Sequence, residues 1–262
     1  MTRVVVSGTG QMGTLVLHTL EAEPGIEPVG VVEPQHPEGE AAGAAGAAYP
    51  MSPDPMVLFE RVKPEVVVDF TNAAFTPKLA DAVLAHGVRP VIGTSGVDEG
   101  TVTRLREGLG RRKLGGVVVP NFAIGAVLLM HLTTIAARYF DSAEIIELHH
   151  DRKVDAPSGT ALATARMMRS ARGRDFEHNV PSTTHIAGTR GGTDGGIPIH
   201  SVRLPGFVAH QEVIFGGVGQ TLVLRHDSTG RDSFMPGVVL AVREVLKREG
   251  LAVGLDELIG LR

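Results

Sequence analysis

The sequence of 262 residues contains no cysteine. The chain can therefore form no disulfide bond, no thiolate nucleophile and no thiolate metal site, so any catalytic group must be of another kind. It also lacks a run of about 18 apolar residues, which a membrane-spanning helix requires. Its first residues, MTRVVVSGTGQMG, lack the sustained apolar stretch and the cleavage site of a signal peptide. We therefore expect a cytoplasmic protein.

An excess of positive charge is missing as well. The formal net charge is −4 at pH 7, which provides no general attraction for nucleic acid or for an anionic membrane surface. With 43% apolar and 21% charged residues, the composition is typical of a folded globular protein and excludes intrinsic disorder. The length predicts one large domain or two modest ones. We expect no nucleic-acid partner and no membrane partner.

Glycine, in contrast, is abundant, with 33 residues. Gly8, Gly10 and Gly13 form a Gly-x-Gly-x-x-Gly string that follows an apolar run and opens a helical pattern. The first permits a tight turn, the second lets backbone amides approach a pyrophosphate, and the third packs the helix against the strand. Glu33, at the end of the next apolar run, can accept hydrogen bonds from the adenine ribose hydroxyls. The pattern predicts a dinucleotide site, and the alternative is a glycine-rich turn without a ligand.

The choice of dinucleotide depends on the same carboxylate. Glu33 repels a 2′-phosphate, and the neighbouring Pro34 and Gln35 offer no cation to attract one. NADH should therefore be at least tolerated, and the preference between NADH and NADPH stays open.

Apolar runs and helical patterns alternate through the first 122 residues. This alternation is typical of a parallel sheet covered by helices. Turns at residues 93–96 and 119–122 follow two of the runs, where doubly wound sheets bind ligands. The stretch 39–48 has no large apolar side chain and predicts a solvated loop. Later strands alternate polar and apolar residues, so we predict a Rossmann-type, doubly wound α/β domain followed by an α+β domain with a mixed or antiparallel sheet.

The segment from residue 147 to residue 161, ELHHDRKVDAPSGTA, concentrates histidines, cations and a helix start. His149, His150 and Lys153 can donate protons near neutral pH and attract anions. Ser158 is placed to cap a helix, which leaves the backbone amides of Gly159 and Thr160 free to receive a carboxylate. The segment suits a small carboxylate-bearing substrate, and the alternative is a solvated turn.

A metal site is a competing hypothesis. Its candidate ligands are His149, His150, Asp151, His185, His200, His210 and His226. Adjacent residues on a strand point to opposite faces, and the chain has no His-x-x-x-His pair on a helix, so we predict no metal site. The same geometry allows a joint role for His149 and His150 only if the strand ends or bends there.

At this segment the chain resembles the dihydrodipicolinate reductases, also described as 4-hydroxy-tetrahydrodipicolinate reductases. Further similar motifs are VIGTSG at 91–96, PNFAIGAV at 120–127, IPIHSVRLPGFVAHQEVIFG at 197–216 and RHDSTGRDSFMPG at 225–237. The resemblance covers essentially the whole chain. It implies NAD(P)H-dependent reduction of 4-hydroxy-tetrahydrodipicolinate to tetrahydrodipicolinate with loss of water, in the diaminopimelate route to lysine.

The resemblance also implies roles for individual residues. His149 matches the proton donor and acceptor, Lys153 matches a proton donor, and His150, Gly159 and Thr160 match the contacts of a dicarboxylate substrate. The cofactor, NADH and/or NADPH, would be held by Ser7, Gly8, Thr9, Gly10, Gln11, Met12, Glu33, Gly93, Thr94, Ser95, Val119, Pro120, Asn121 and Phe122. The family further implies a homotetramer and a C-terminal helix that returns to the cofactor domain. The expected domains are therefore 1–122 plus 231–262 for the dinucleotide, and 123–230 for substrate binding and tetramerisation.

Three positions depart from the family pattern. Ser7 stands where the first glycine of the loop is usual, Ser95 replaces a threonine but keeps the hydroxyl, and Pro34 replaces a basic residue common in some members. The change at Ser7 affects the cofactor loop, and Pro34 weakens the case for a strong NADPH preference.

Two other functions compete with this reductase. A related two-domain reductase of another amino-acid-derived substrate would share the glycine loop but lose the His-His-x-x-Lys and Pro-Ser-Gly-Thr motifs, which are intact here. A non-enzymatic protein that senses NADH would need no proton donors and would usually carry a basic DNA-binding segment, which the sequence does not show.

Overall fold

The computed structural model describes residues 1–179, 181 and 183–261. The chain divides into two compact units, the first comprising Met1–Ile124 and Phe234–Arg262 and the second comprising Gly125–Ser233. Among the described residues, no helix is both long and apolar enough to cross a membrane.

The secondary-structure elements are numbered here in chain order. The strands are β1 Thr2–Ser7, β2 Ile26–Val32, β3 Gly39–Ala42, β4 Ala48–Ser52, β5 Val66–Asp69, β6 Arg89–Ile92, β7 Gly115–Val118, β8 Ser142–His149, β9 Gly192–Asp194, β10 Ile197–Arg203, β11 Ala209–Gly217, β12 Gln220–Ser228 and β13 Gly250–Val253. The α-helices are α1 Gln11–Ala22, α2 Pro55–Val62, α3 Thr76–His86, α4 Glu99–Arg112, α5 Ile124–Ala136, α6 Gly159–Arg172, α7 Met235–Glu244 and α8 Leu255–Leu258.

The first unit is built on an eight-stranded sheet with the order β13-β7-β6-β5-β1-β2-β4-β3. All neighbouring strands are parallel except β3 and β4, which form an antiparallel pair at one edge. The valine runs of the central strands β1 and β5, at residues 4–6 and 66–68, have no exposed surface, as expected for strands buried on both faces. Helices α2, α3 and α4 contribute leucine, valine and phenylalanine side chains to the same core. The predicted doubly wound α/β fold is confirmed.

The prediction of a solvated loop at residues 39–48 is wrong. That stretch contains β3, a 3₁₀ helix at Ala44–Gly46 and the start of β4. Backbone pairing with β4 needs no large side chains, and Ala41 is buried in the pair. The Glu21 carboxylate also accepts a hydrogen bond from the Ala44 amide at 2.8 Å. Composition predicted a loop because small residues give no periodic apolar signal.

The second unit contains a five-stranded mixed sheet with the order β12-β11-β8-β10-β9. β8 and β10 are parallel, whereas the other neighbouring strands are antiparallel. Residues alternate in burial along β8 and β11, so that Ile145, Val213 and Phe215 face a core. Helix α6 adds Ala165 and Met168 to that core. The mixed sheet is one of the two arrangements that the sequence predicts.

The glycine loop of the first unit is closely packed. Gly8 has φ of +103°, a conformation that favours glycine. A Cβ atom on Gly13 would lie 1.9 Å from the Gly8 carbonyl oxygen, so this position excludes every side chain. A Cβ atom on Gly10, by contrast, would meet no described atom within 4 Å, and the φ of Gly10 is −64°. The first helical turn can therefore approach the end of β1 only because residue 13 is glycine.

We expect Gly13→Ala to lower the free energy of unfolding by about 1–3 kcal/mol, because the new methyl group forces the backbone of the loop apart. Gly10→Ala is the matched control: its Cβ atom meets no neighbour, so it should cost less than Gly13→Ala, at most about 1 kcal/mol for an alanine at the N-cap. Urea unfolding followed by circular dichroism measures both. Equal midpoints for Gly13→Ala and the unsubstituted protein would contradict the packing described here.

Candidate functional site

The residues predicted to bind a dinucleotide lie at the carboxyl ends of neighbouring strands. Ser7 is the last residue of β1, the 93–95 turn follows β6, and the 119–122 turn follows β7. Because the strands are parallel, these turns lie along one edge of the sheet. β1 pairs with β2 on one side and with β5 on the other, which is the point where such sheets bind ligands.

The N-terminus of α1 is open to an anion. Its N-cap is Gly10, which has no side chain to cap the helix, and its first turn contains no acidic residue. The first backbone N–H groups of a helix have no intrahelical acceptor and carry the positive end of its dipole. The Ser7 hydroxyl is buried here without a hydrogen-bond partner among the described residues. Free amides, an uncharged helix start and an orphaned hydroxyl fit the pyrophosphate of a dinucleotide.

Glu33 is attached to the glycine loop. Its Oε2 accepts hydrogen bonds from the Thr9 amide at 2.7 Å and from the Thr9 hydroxyl at 2.6 Å, and its Oε1 accepts one from the Gln35 amide at 3.1 Å. Burial alone would raise the pKa of Glu33, but the hydrogen bonds from Thr9 and Gln35 hold the pKa below its usual value. The residue is therefore an ionised acceptor, as ribose hydroxyl groups require.

Two pockets gather the predicted cofactor residues. One, of about 440 Å³, is lined by Met12, by the 93–95 turn and by the 119–122 turn. The other, of about 220 Å³, is lined by Gly8, Thr9 and Gly13 together with His36. The structure thus brings together loops that are far apart in the sequence. The cofactor roles of the individual residues stay predictions.

A buried carboxylate that the sequence analysis did not single out connects the turn after β5 to the 93–95 turn. Asp69, fully buried at the end of β5, accepts hydrogen bonds from the hydroxyls of Thr71 and Thr94, each at 2.7 Å. The Thr94 hydroxyl therefore donates its one proton to Asp69, which leaves the backbone of Thr94 to donate a hydrogen bond to a ligand. An aspartate directly after three valines is the signal that could have identified this residue.

In the second unit, the segment from residue 147 to residue 161 begins at the end of β8. Glu147 and His149, two residues apart on the strand, lie on the same face, and the Nδ1 atom of His149 is 2.5 Å from Oε2 of Glu147. The strand ends at His149, which removes the objection that adjacent strand residues cannot act together. The Nδ1 atom of His150 is buried without a partner in the described part of the chain.

Glu147 is the centre of this region and was also missed by the sequence analysis. It is fully buried and forms a bidentate ion pair with the Arg203 guanidinium. The distances are 2.9 Å from Nη1 to Oε2 and 2.7 Å from Nη2 to Oε1. Burial alone would raise the pKa of Glu147, but hydrogen bonds from His149, Arg203 and Ser201 lower it to about 2. Because this pKa is depressed in the folded chain, the stabilisation is present above the ordinary pKa of 4.5 and is lost as the pH falls toward 2.

The remaining predicted residues follow along the same segment. The Lys153 ammonium is 2.7 Å from Oδ1 of Asp155. Ser158 caps α6 by accepting a hydrogen bond from the Ala161 amide at 3.2 Å, which confirms the predicted cap. Gly159 and Thr160 form the first turn of α6, where backbone N–H groups have no intrahelical acceptor. An imidazole, an ammonium group and an open helix start therefore occur within one stretch of chain.

Two of the histidines considered as metal ligands each contact a carboxylate. His200 contacts Glu144 at 2.8 Å, and His210 contacts Asp227 at 2.7 Å. Within the described ranges, no group of three or more histidine, aspartate or glutamate residues is arranged to hold a metal ion.

Comparison with known proteins connects both units to one family. The models for the N-terminus and the C-terminus of dihydrodipicolinate reductase match residues 2–122 and 125–259. A 4-hydroxy-tetrahydrodipicolinate reductase of Geobacillus thermodenitrificans is 44% identical over 98% of this chain and 98% of its own length. One of Shouchella clausii is 44% identical over 99% of this chain and 100% of its own.

A solved structure leads to the same family. The dipicolinate-bound dihydrodipicolinate reductase of Paenisporosarcina sp. TG-14 superposes with a TM-score of 0.89 at 39% identity, and the match covers 98% of this chain and 99% of that one. The two family models together span nearly the whole chain, and the full-length relatives are 44% identical to it. Both observations assign the chain to the same family. The chain belongs to the dihydrodipicolinate reductase family.

Proposed function

We propose that this protein catalyses the NAD(P)H-dependent reduction of 4-hydroxy-tetrahydrodipicolinate to tetrahydrodipicolinate with loss of water, in the diaminopimelate route to lysine. One observation carries the proposal: His149, Lys153 and the open start of α6 lie within a single segment of the second unit. The names of the full-length relatives and the dipicolinate bound to the Paenisporosarcina protein support the same substrate class.

NADH and NADPH are the cofactors of this family, and its N-terminal domain is the nucleotide-binding domain. We assign that role to residues 1–122 plus 231–262, and substrate binding to residues 123–230. The amides at the start of α1 would hold the pyrophosphate, and Glu33 the adenine ribose. When bound, the reduced nicotinamide supplies a hydride.

The residues of the second unit handle protons and carboxylates. The overall reaction consumes the substrate, NAD(P)H and one proton, and yields the product, NAD(P)⁺ and water. Because Nδ1 of His149 contacts Glu147, Nε2 is the ring atom left to deliver or accept that proton. Lys153 is the second proton donor. The amides of Gly159 and Thr160, together with His150, would bind the two carboxylates of the substrate.

A homotetramer and a cytoplasmic location complete the proposal. One face of the five-stranded sheet packs on the helical core, whereas the other presents the half-buried Ile146, Leu148 and Ile214, and Val223 is 49% exposed. The same face also carries the ion pair of Glu212 with Arg225, and a surface that mixes apolar and charged side chains in this way is typical of an interface between subunits. The open edge of β12 lies on the same sheet.

We expect the protein to elute with a mass four times that of one chain when size-exclusion chromatography is coupled to light scattering. Val223→Lys places an unpaired charge among the apolar side chains of this face and should shift the mass toward smaller assemblies. Leu204→Lys, also at an exposed apolar residue, tests whether any new charge has this effect. A monomeric unsubstituted protein would exclude the tetramer.

A coupled assay tests the reaction itself. Substrate is generated from pyruvate and aspartate semialdehyde, and oxidation of NADH and of NADPH is followed in parallel at 340 nm. We expect turnover with NADH at least, because Glu33 accepts ribose hydroxyls but repels a 2′-phosphate. Binding of NADH without turnover would favour a dinucleotide-sensing protein, and turnover only with another imine would favour a related reductase.

His149→Gln should lower kcat by roughly 10²-fold, since the variant loses a general acid. The dissociation constant of NADH, measured by fluorescence, should not change, because the predicted cofactor residues lie in the other unit. His18→Gln, at an exposed position of α1, is the control. NADH oxidation by His149→Gln at the unsubstituted rate would remove His149 from the mechanism.

A further inference from the structure

We propose that Glu147 is a positioning residue that holds the His149 imidazole in one tautomer and connects it, directly through the Ser158 amide, to the substrate-binding start of α6 and, through Arg203 and Asp155, to Lys153. The proposal rests on the proposed function, since holding the ring in one tautomer affects the reaction only if a proton is transferred at Nε2 of His149.

The first step of the argument is the tautomer. An ionised carboxylate can only accept hydrogen bonds, and hydrogen bonds from three residues bring the pKa of Glu147 to about 2. At neutral pH the 2.5 Å contact therefore requires a proton on Nδ1 of His149. The carboxylate also fixes the plane of the ring, because Glu147 is itself buried and held by two hydrogen bonds from Arg203. Nε2 is then the one ring nitrogen that changes its protonation during a reaction.

The second step is the stability of the carboxylate itself. An unpaired buried charge is strongly unfavourable, so Glu147 needs a counter-charge of matching geometry. Arg203, at the end of β10, contributes the two parallel N–H groups of a guanidinium. The residues of β11 that lie opposite Glu147 and His149 are Gln211 and Ala209, which carry no charge. Arg203 is therefore the cation that permits a buried glutamate at this position.

The third step is the extent of the network. The Ser158 amide, at the N-cap of α6, donates to Oε1 of Glu147 at 3.2 Å. Nη2 of Arg203 also donates to the Asp155 carbonyl oxygen at 2.7 Å, and the Asp155 carboxylate accepts a hydrogen bond from the Lys153 ammonium. One carboxylate and one guanidinium thus determine the positions of both predicted proton donors and of the helix start.

The same strand contains a matched control. Glu144 lies on the opposite face of β8 and pairs with an arginine and a histidine of its own, Arg190 and His200. Glu144→Gln removes the same charge from the same strand without touching Glu147. A general effect of losing a glutamate–arginine–histidine contact can therefore be separated from a specific effect on His149.

The experiment compares Glu147→Gln, Glu147→Asp and Glu144→Gln. We expect Glu147→Gln to lower kcat by roughly 10²–10⁴-fold, because the ring is no longer held with its proton on Nδ1. KM should change less than kcat, since His150 and the amides of α6 remain. Glu147→Asp keeps the charge and should recover part of kcat, and Glu144→Gln should retain at least half of it. A folded Glu147→Gln protein with unaltered kcat overturns the proposal.

Nuclear magnetic resonance of ¹⁵N-histidine-labelled protein gives a readout independent of turnover. The unsubstituted protein should show His149, assigned by its absence from His149→Gln, with a low-field proton on Nδ1. This test needs no folded Glu147 variant, and a neutral ring protonated only on Nε2 would overturn the proposal. If the Nδ1 proton is found but the coupled assay shows no turnover, the proposed reaction fails while the positioning of the ring stands.

Discussion

The buried contact between Glu147 and Arg203 is the interaction on which the second unit depends most. A carboxylate without solvent exposure is tolerable only when its four lone-pair directions meet donors, and Glu147 has donors from His149, Arg203 and Ser158. These donors come from β8, β10 and the start of α6. The ion pair therefore does more than neutralise a charge, because it joins three elements at the place where a strand ends and a helix begins.

The first unit uses buried carboxylates in a similar way but with different partners. Glu33 receives its hydrogen bonds from Thr9 and Gln35, and Asp69 receives its bonds largely from threonine hydroxyls. The groups that donate to these two carboxylates are neutral amides and hydroxyls. Each of the three carboxylates fixes loops at the carboxyl ends of strands, where the candidate site residues lie. The positions of the loops are thus set by side chains that contribute little exposed surface.

Close packing and open space are both needed in the glycine loop. Gly13 leaves no room for a methyl group, whereas Gly10 faces open space at the start of α1. The close contact brings the helix to the end of β1, and the open position leaves the first amides accessible. Ser7, the last residue of β1, is buried next to this loop in the chain, and its hydroxyl has no hydrogen-bond partner among the described residues.

The sequence by itself determined the fold class, because valine-rich runs and amphipathic helices have distinct periods that need no tertiary information. It also determined the Ser158 cap, a local hydrogen bond, and the family, through the motif from residue 147 to residue 161. Only the tertiary structure decided the edge strand β3, whose small residues have no periodic signal, and the partners of Glu147, Asp69 and Glu33. Arg203 lies 56 residues from Glu147 in the chain. Such a contact depends on strand order, and strand order is set by packing across the whole sheet and not by any local pattern.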